Sequence, residues 1–211
     1  GESHSLNVDP TATKYGTYSV DTDGHWTYQV DNGNATVQGL AAGQTLVDTF
    51  TITSADGGTV KQVGITITGV NDPATFSGDI SGTTAEDAMA PIAGTLVVSD
   101  ADAGQSSTKI QALTAATYGS WSIDASGHWT YQVDNGNPAV QQLAVGGHLT
   151  DQFTVQSKDG TPQLVTITIN GTNDPASISG DTTGSVTEGS STPATGTLTV
   201  TDIDKDDNHT N

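Results

Sequence analysis

The sequence predicts an all-β chain built from tandem β-sandwich domains. Three observations carry that reading. The chain repeats itself at a period of about 102 residues, the size of one sandwich and too long for a solenoid unit. Apolar residues alternate with polar ones in short runs bounded by Gly, Asn and Asp, as half-buried strands require. Thr reaches 36 residues, while long runs of Ala, Leu, Glu and Lys that would favour helices are missing.

The repeat is read directly. Tyr15 to Asp56 matches Tyr118 to Asp159 without a gap, at 26 identical positions of 42. Its best stretch, Gly24-His25-Trp26-Thr27-Tyr28-Gln29-Val30-Asp31-Asn32-Gly33-Asn34, returns at 127–137. After one deletion Asn71-Asp72-Pro73-Ala74 matches Asn173-Asp174-Pro175-Ala176, Glu86 matches Glu188, and Gly94-Thr95-Leu96 matches Gly196-Thr197-Leu198. Proline removes a backbone donor and extends the residue before it, so Asn-Asp-Pro is the natural joint. Boundaries near Asp72 and Asp174 divide the chain into 1–72, a repeat lacking its first two strands; 73–174, a complete repeat; and 175–211, the first strands of a following repeat.

Each strand has its own pattern. Trp129, Tyr131 and Val133 share one parity, and His128, Thr130 and Gln132 the other, which gives an apolar and a wet face. Phe153 and Val155 alternate likewise, Val165, Ile167 and Ile169 line one side of a strand, and Leu96 and Val98 line another. Ser126-Gly127, Asp134-Asn135-Gly136 and Lys158-Asp159-Gly160 are turns. Val140 to Ala144 suits one helical turn. Open edges are expected at both ends of this division, so that either the tail of one molecule completes the head of another by head-to-tail strand exchange or these ends are poorly ordered.

Composition narrows function. Lys plus Arg is 5 against 24 Asp plus Glu, a formal charge of −19. That excludes phosphate-led nucleic-acid binding and disfavours an anionic membrane surface. No run of 18 apolar residues is present, so membrane insertion is not expected. No signal peptide is present either, and Gly1 in the place of an initiator Met reads as an excised fragment. Cysteine is absent, so disulfides and thiolate chemistry are excluded, and an acidic chain without staples points to a cation. Calcium takes six to eight oxygens. Asp100-x-Asp102 and Asp202-x-Asp204 place carboxylates on alternate residues at strand ends, Asp206, Asp207 and Asn208 follow the second pair, and Asn71-Asp72 and Asn173-Asp174 add oxygens at the joints. An EF-hand is not expected, because its sixth position is Asp207 rather than Gly. Surface and turn aspartates explain the same residues blandly.

The His-Trp-x-Tyr block has two readings. It is either a sugar-stacking platform or, as its parity favours, sandwich core, with His25 and His128 facing solvent. The five His are too scattered for a zinc set. No Gly-x-Ser-x-Gly, His-Glu-x-x-His or phosphate loop occurs, and an enzyme is not expected.

Taken together, Gly94-Thr95-Leu96-Val97-Val98-Ser99-Asp100-Ala101-Asp102, Tyr118-Gly119-Ser120-Trp121-Ser122-Ile123, Gly127-His128-Trp129-Thr130-Tyr131, Asp151-Gln152-Phe153-Thr154-Val155 and Asp159-Gly160-Thr161 through Asn173-Asp174-Pro175 resemble the VCBS repeat, a cadherin-like repeat of giant bacterial surface adhesins. The resemblance covers essentially all the chain. It implies tandem Ig-like/cadherin-like β-sandwich domains acting as extenders of a secreted, extracellular adhesin at the bacterial cell surface, in biofilm or host attachment. It implies neighbouring repeats of the same adhesin as partners and calcium at the joints. By resemblance to cadherins, the first joint would use Asn71, Asp72, Asp100, Asp102 and Asp159, and the second Asn173, Asp174, Asp202 and Asp204 with Glu86. The cadherin linker's extra acidic ligands and its mid-domain acidic triplet are absent here, which implies fewer ions per joint. The other readings are a glycan- or protein-binding module, and an accessory repeat of a secreted enzyme.

Overall fold

The structure is a computed structural model that describes residues 3–205. Asp206, Asp207 and Asn208 therefore lie outside the described residues. The chain forms two compact units. One holds the residues up to Phe76 with Val98–Ser107 and Ser157–Thr161; the other holds Ser77–Val97, Thr108–Gln156 and the residues from Pro162 on.

In the first unit, β1 (Val8–Ala12), β2 (Gly16–Val20) and β3 (Trp26–Val30) form an antiparallel meander. A single helical turn, α1 (Ala35–Gln38), leads to β4 (Thr45–Thr53) and β5 (Val60–Thr68), which pair along their whole length. Leu46, Asp48, Phe50 and Ile52 share the inward parity of β4. Phe50 stacks on Tyr18 at 4.2 Å between centroids and meets Trp26 edge-on at 5.6 Å. Trp26 itself stays 44% exposed.

The next strands are β6 (Thr75–Gly78), β7 (Ser81–Ala85), β8 (Ile92–Ser99), β9 (Gln111–Ala115), β10 (Gly119–Ile123) and β11 (His128–Val133). A second helical turn, α2 (Pro138–Gln141), precedes β12 (His148–Gln156) and β13 (Pro162–Asn170). They make a five-stranded sheet, β6-β8-β11-β10-β9, and a three-stranded sheet, β12-β13-β7. Trp121, Trp129 and Tyr131 of the one face Phe153 of the other, with Trp121 stacked on Phe153 at 4.5 Å and Trp129 edge-on at 5.9 Å. Val165, Ile167 and Ile169 complete the core, fully buried on the parity read from the sequence. The fold is all-β.

Trp129, only 1% exposed, is gripped closely. A Cβ on Gly94 would lie 2.4 Å from its ring, and one on Gly82 would lie 3.0 Å away. Its Nε1 donates to Asp79 O at 2.8 Å. An indole here requires two residues without side chains.

Two details differ from the sequence reading. The expected helical turn at 140–144 starts at Pro138 instead, because Asn137 caps it, accepting from Ala139 N at 2.9 Å, and Pro138 supplies the first helical φ. The opening of the middle repeat is three strands, not two. At Gly78, with φ of 94° and no room for a Cβ against Thr95 O, the chain leaves the five-stranded sheet. It resumes as β7, parallel to β13 in the other sheet. Beyond β13, β14 (Ser177–Gly180) and β15 (Leu198–Thr201) form an antiparallel pair. Among the described residues there, no counterpart of β7 is present.

Each repeat also buries a carboxylate that the patterns did not single out. Asp151 accepts from Tyr131 Oη at 2.7 Å, Thr117 N at 3.1 Å, Tyr118 N at 2.8 Å and Gln152 N at 2.9 Å. Asp48 accepts from Tyr28 Oη at 2.7 Å, Thr13 Oγ1 at 2.5 Å, Tyr15 N at 2.9 Å and Thr49 N at 2.9 Å. These bonds pin the loop before β2 or β10 to β4 or β12. Burial penalises the Asp48 charge, but the bonds from Thr13, Tyr28 and the backbone outweigh it and hold its pKa below the ordinary 3.8.

Tyr131→Phe should destabilise by about 1.5–3 kcal/mol, the value of a hydrogen bond to a charged group. Tyr28→Phe should cost less, since Tyr28 is only half-buried and water can replace its hydroxyl. Urea unfolding of the two variants tests this, and the reverse order would contradict it. The Asp48 contribution should be complete above pH 3.8 and fade as pH falls through its lower folded value. Asp48→Asn should remove that acid-sensitive part, measurable as a flatter stability profile below pH 4 or thereabouts.

Candidate cation-binding clusters

The first cluster begins where β5 ends. Gly69-Val70-Asn71-Asp72-Pro73 runs out of the strand, and Pro73 precludes a further ladder bond. Asp100 and Asp102 follow the end of β8, and Asp159 sits in the turn between β12 and β13. Asp100 Oδ1 accepts from Asp102 N at 2.8 Å, an Asx turn. Asp102 Oδ2 accepts from Asp72 N at 3.1 Å and from Gln105 Nε2 at 3.0 Å. Asn71 Nδ2 donates to Asp159 Oδ2 at 3.2 Å, and Ala74 N reaches the same oxygen at 3.4 Å. Hydrogen bonds thus link all five residues proposed for the first joint, in two groups: Asp72, Asp100 and Asp102, and Asn71 with Asp159.

The second cluster repeats the first 102 residues on. Asp174 N donates to Asp204 Oδ2 at 3.0 Å, and Asp204 N to Asp202 Oδ1 at 3.0 Å. Glu86 joins it from the end of β7. Its backbone N extends the parallel ladder to Asn170 O at 2.9 Å, and its Oε1 accepts from Thr172 N. Asn173 Nδ2 bonds to Asp174 O at 3.1 Å.

Four of the carboxylates share one feature. One oxygen is held by a backbone N–H, and the other is buried with no donor. Oδ2 of Asp100, Oδ1 of Asp102, Oδ1 of Asp204 and Oε2 of Glu86 are in this position, and Asp174 has a similar orphan in Oδ2. Glu86 and Asp102 are each 1% exposed. Such atoms are rare, since a buried polar group without a partner costs on the order of 1–3 kcal/mol and more when charged. Asp159 differs. Ser157 Oγ, Thr161 Oγ1, Thr161 N and Asn71 Nδ2 all donate to it, and against the penalty of burial they hold its carboxyl well below the usual range.

The second cluster is strained electrostatically. Burial raises the pKa of Glu86 first; the Thr172 N–H opposes this, and the charges of Asp174, Asp204 and Asp87 add to it. Burial also leads at Asp174, followed by repulsion from Asp87, Asp204 and Asp202. Among the described residues the ion pairs are His–Asp pairs at 4/23, 25/21 and 128/124, all outside the clusters. Lys158 Nζ, beside Asp159, bonds to Gly104 O at 2.8 Å. No group of three or more His, Cys, Asp or Glu among the described residues is arranged to hold a metal ion by itself. Any cation would draw the orphaned oxygens inward or add backbone, amide and water oxygens.

Asp87 was not picked out from the sequence. It has φ of 59°, accepts from Gln141 Nε2 at 3.0 Å and donates through its N to Asn135 Oδ1 at 3.0 Å. The available signal was its counterpart, Gly189, which has φ of 82°. A position that alternates Asp and Gly is one that demands the left-handed region. The His-Trp block is core only in the middle repeat, since Trp26 is 44% exposed. His25 and His128 are exposed and bonded to Asp21 and Asp124 within one turn, and Trp129 is core.

No helix among the described residues is long and apolar enough to cross a membrane. No curated protein matches the chain. Several cadherin structures resemble it distantly. The four-domain extracellular structure of protocadherin gamma B7 is 14% identical, covering 97% of this chain and 52% of that one, at a TM-score of 0.44. Mouse clustered PcdhgC3 domains EC1-3 are 11% identical, covering 96% and 77%, at 0.44. Drosophila N-cadherin EC1-4 is 16% identical, covering 83% and 43%, at 0.39. The chain thus spans about half the length of the first of these. Residues 71–171 match the bacterial cadherin-like domain family, and that stretch of the chain is a cadherin-like repeat.

Proposed function

We propose that the chain is a stretch of VCBS-type extender repeats, divided at 1–72, 73–174 and 175–211, from a secreted adhesin of the bacterial cell surface. Its role is mechanical: it holds a distal binding module away from the cell, for adhesion or biofilm formation. Calcium stiffens the joints. The observation that carries the reading is the set of buried carboxylate oxygens without donors in both clusters.

These donors suit a hard cation. They are carboxylate and amide oxygens, the ligands calcium prefers, and their repulsion and desolvation are costs that a divalent charge offsets. In the first cluster Asp100 and Asp102 would hold the ion, with Asp72 and Asn71 from the linker. Asp159 would join by exchanging one of its hydrogen bonds. In the second, Glu86, Asp174, Asp202 and Asp204 would hold it, with Asn173 nearby. Bound calcium supplies positive charge shared by linker and loop. The backbone bonds from Asp72 N to Asp102 and from Asp174 N to Asp204 already place one linker residue on each loop. An ion on the remaining oxygens makes bending the linker cost metal–oxygen contacts as well. The charge of −19 keeps neighbouring arrays apart.

Thermal unfolding and small-angle scattering, in EDTA and in millimolar calcium, test this. Calcium should raise the melting temperature and give a longer, stiffer particle; at a hundredfold excess over Kd the gain is about 2.7 kcal/mol per site. Magnesium should act more weakly, because it demands a tighter octahedron and sheds water reluctantly. No response to calcium would overturn the proposal. Asp102→Asn and Asp204→Asn should each halve the calcium response, roughly, if the two clusters act independently. In EDTA each variant should be at least as stable as the parent, since one repelling charge is gone. Loss of stability in EDTA with an unchanged calcium response would assign these aspartates a purely structural role.

A further inference from the structure

Two equivalent edge strands differ in how they are guarded. β1 and β9 hold matching places in the two copies. Each is an outer strand of its sheet, each pairs with the strand that follows it, and each pairing carries the same irregularity in register. The local backbone agrees as well, since Thr11 Oγ1 donates to Asp9 O and Thr114 Oγ1 to Ala112 O, both at 2.8 Å. The side chains do not agree. Val8-Asp9-Pro10-Thr11-Ala12 becomes Gln111-Ala112-Leu113-Thr114-Ala115. A charge and a proline on an open edge keep another strand from adding to it. β1 has both, and β9 has neither. β9 instead exposes Leu113, with Ile110 exposed just before it.

The charge around the two strands differs too. Residues 103–123 contain no Asp or Glu, although the chain carries a charge of −19, and Asp9 interrupts the corresponding stretch of the first repeat. β12, across the sandwich from β10, adds only Asp151, which is buried and bonded to Tyr131 and the backbone. The open edge also has regular backbone groups to offer. Ala116 N donates to Gly119 O at 2.8 Å, so Ala116 and Thr114 turn their backbone groups toward β10, and Leu113 and Ala115 turn theirs outward. Pro10 stands where Leu113 does, at a place in the ladder that tolerates the loss of an N–H.

We propose that β9 is a self-association edge, which pairs antiparallel, about a two-fold axis, with β9 of a second copy of this chain. With the axis at Thr114, Leu113 of each copy lies opposite Ala115 of the other, and the two exchange their outward N–H and C=O bonds. Thr114 pairs with the buried Trp121, whereas Leu113 and Ala115 lie on the outer face of the sheet with Ser120. Each leucine therefore covers an alanine. The edge is self-complementary, which singles out a second copy as its partner. Its one charge, Lys109, is bonded to Gln156 Oε1 at 3.3 Å and lies away from the axis. Copies of so acidic a chain repel one another elsewhere, and this side lets them touch. The pairing does not depend on the cation clusters.

Sedimentation of the 211-residue chain over a wide concentration range, in EDTA at low and at high sodium chloride, reads the association. The average mass should rise toward a dimer with concentration. It should rise further in high salt, which screens the repulsion between copies. Ala112→Asp combined with Leu113→Pro gives β9 the guard that β1 already carries, and should weaken association at least tenfold. If the proline unfolds the repeat, Leu113→Lys at the same exposed position decides. Because the protein has no cysteine, Thr114→Cys should form a disulfide-linked dimer under mild oxidation, at least tenfold faster than Thr11→Cys on the guarded edge. A monomer at every concentration would overturn the proposal and leave the edge to a different chain. Association that Leu113→Lys leaves intact, or equal cross-linking of the two Cys variants, would overturn it as well. So would association that requires calcium, which would assign the contact to the cation clusters.

Discussion

The packing of one tryptophan between two sheets sets most of this architecture. Trp129 fits only because Gly82 and Gly94 have no side chains, and because the Asp79 carbonyl takes its N–H. Those three residues lie on or between β6, β7 and β8, the strands that open the repeat. The ring therefore couples the opening strands to the aromatic cluster around Phe153, and each side of the core holds the other in register. Gly78 allows the chain to change sheets just before this grip, so β6 and β7 serve different sheets although only Asp79 and Ile80 separate them.

Carboxylates play two distinct parts around that core. Asp48 and Asp151 are saturated: each collects a tyrosine hydroxyl and backbone donors, and each works as an internal clasp. The carboxylates at the ends of the strands are half-saturated. A backbone N–H fixes one oxygen of Asp100, Asp102, Asp204 and Glu86, and leaves the other buried and bare. The same residue type in the same burial thus separates into structure and candidate site by its count of donors. Asp159, with a full set of donors, belongs with the clasps in its hydrogen bonding and with the cluster in its position.

The two copies of the repeat differ in what they cover. Identical strand sequences, Gly24 to Asn34 and Gly127 to Asn137, give a half-exposed Trp26 and a buried Trp129. Burial is a property of the surroundings, and here it depends on which strands lie alongside.

The sequence by itself determined the all-β class, the period, the inward parity of Trp129, Tyr131, Val133 and Val165 to Ile169, and the residues of both clusters. Strand faces follow a period of two, and the repeat names equivalent positions, so both are local or self-referential signals. Only the tertiary structure decided the split of the opening strand at Gly78, the start of α2 at Pro138, the saturation of Asp48 and Asp151, and the left-handed turn at Asp87. Each of these depends on a partner distant in the chain or on a backbone angle. The β7 strand pairs with β13, some eighty residues further on, and a carboxylate becomes clasp or candidate ligand only once its donors are in place. Long-range pairing carries no local pattern, and that is why those features became legible in space alone.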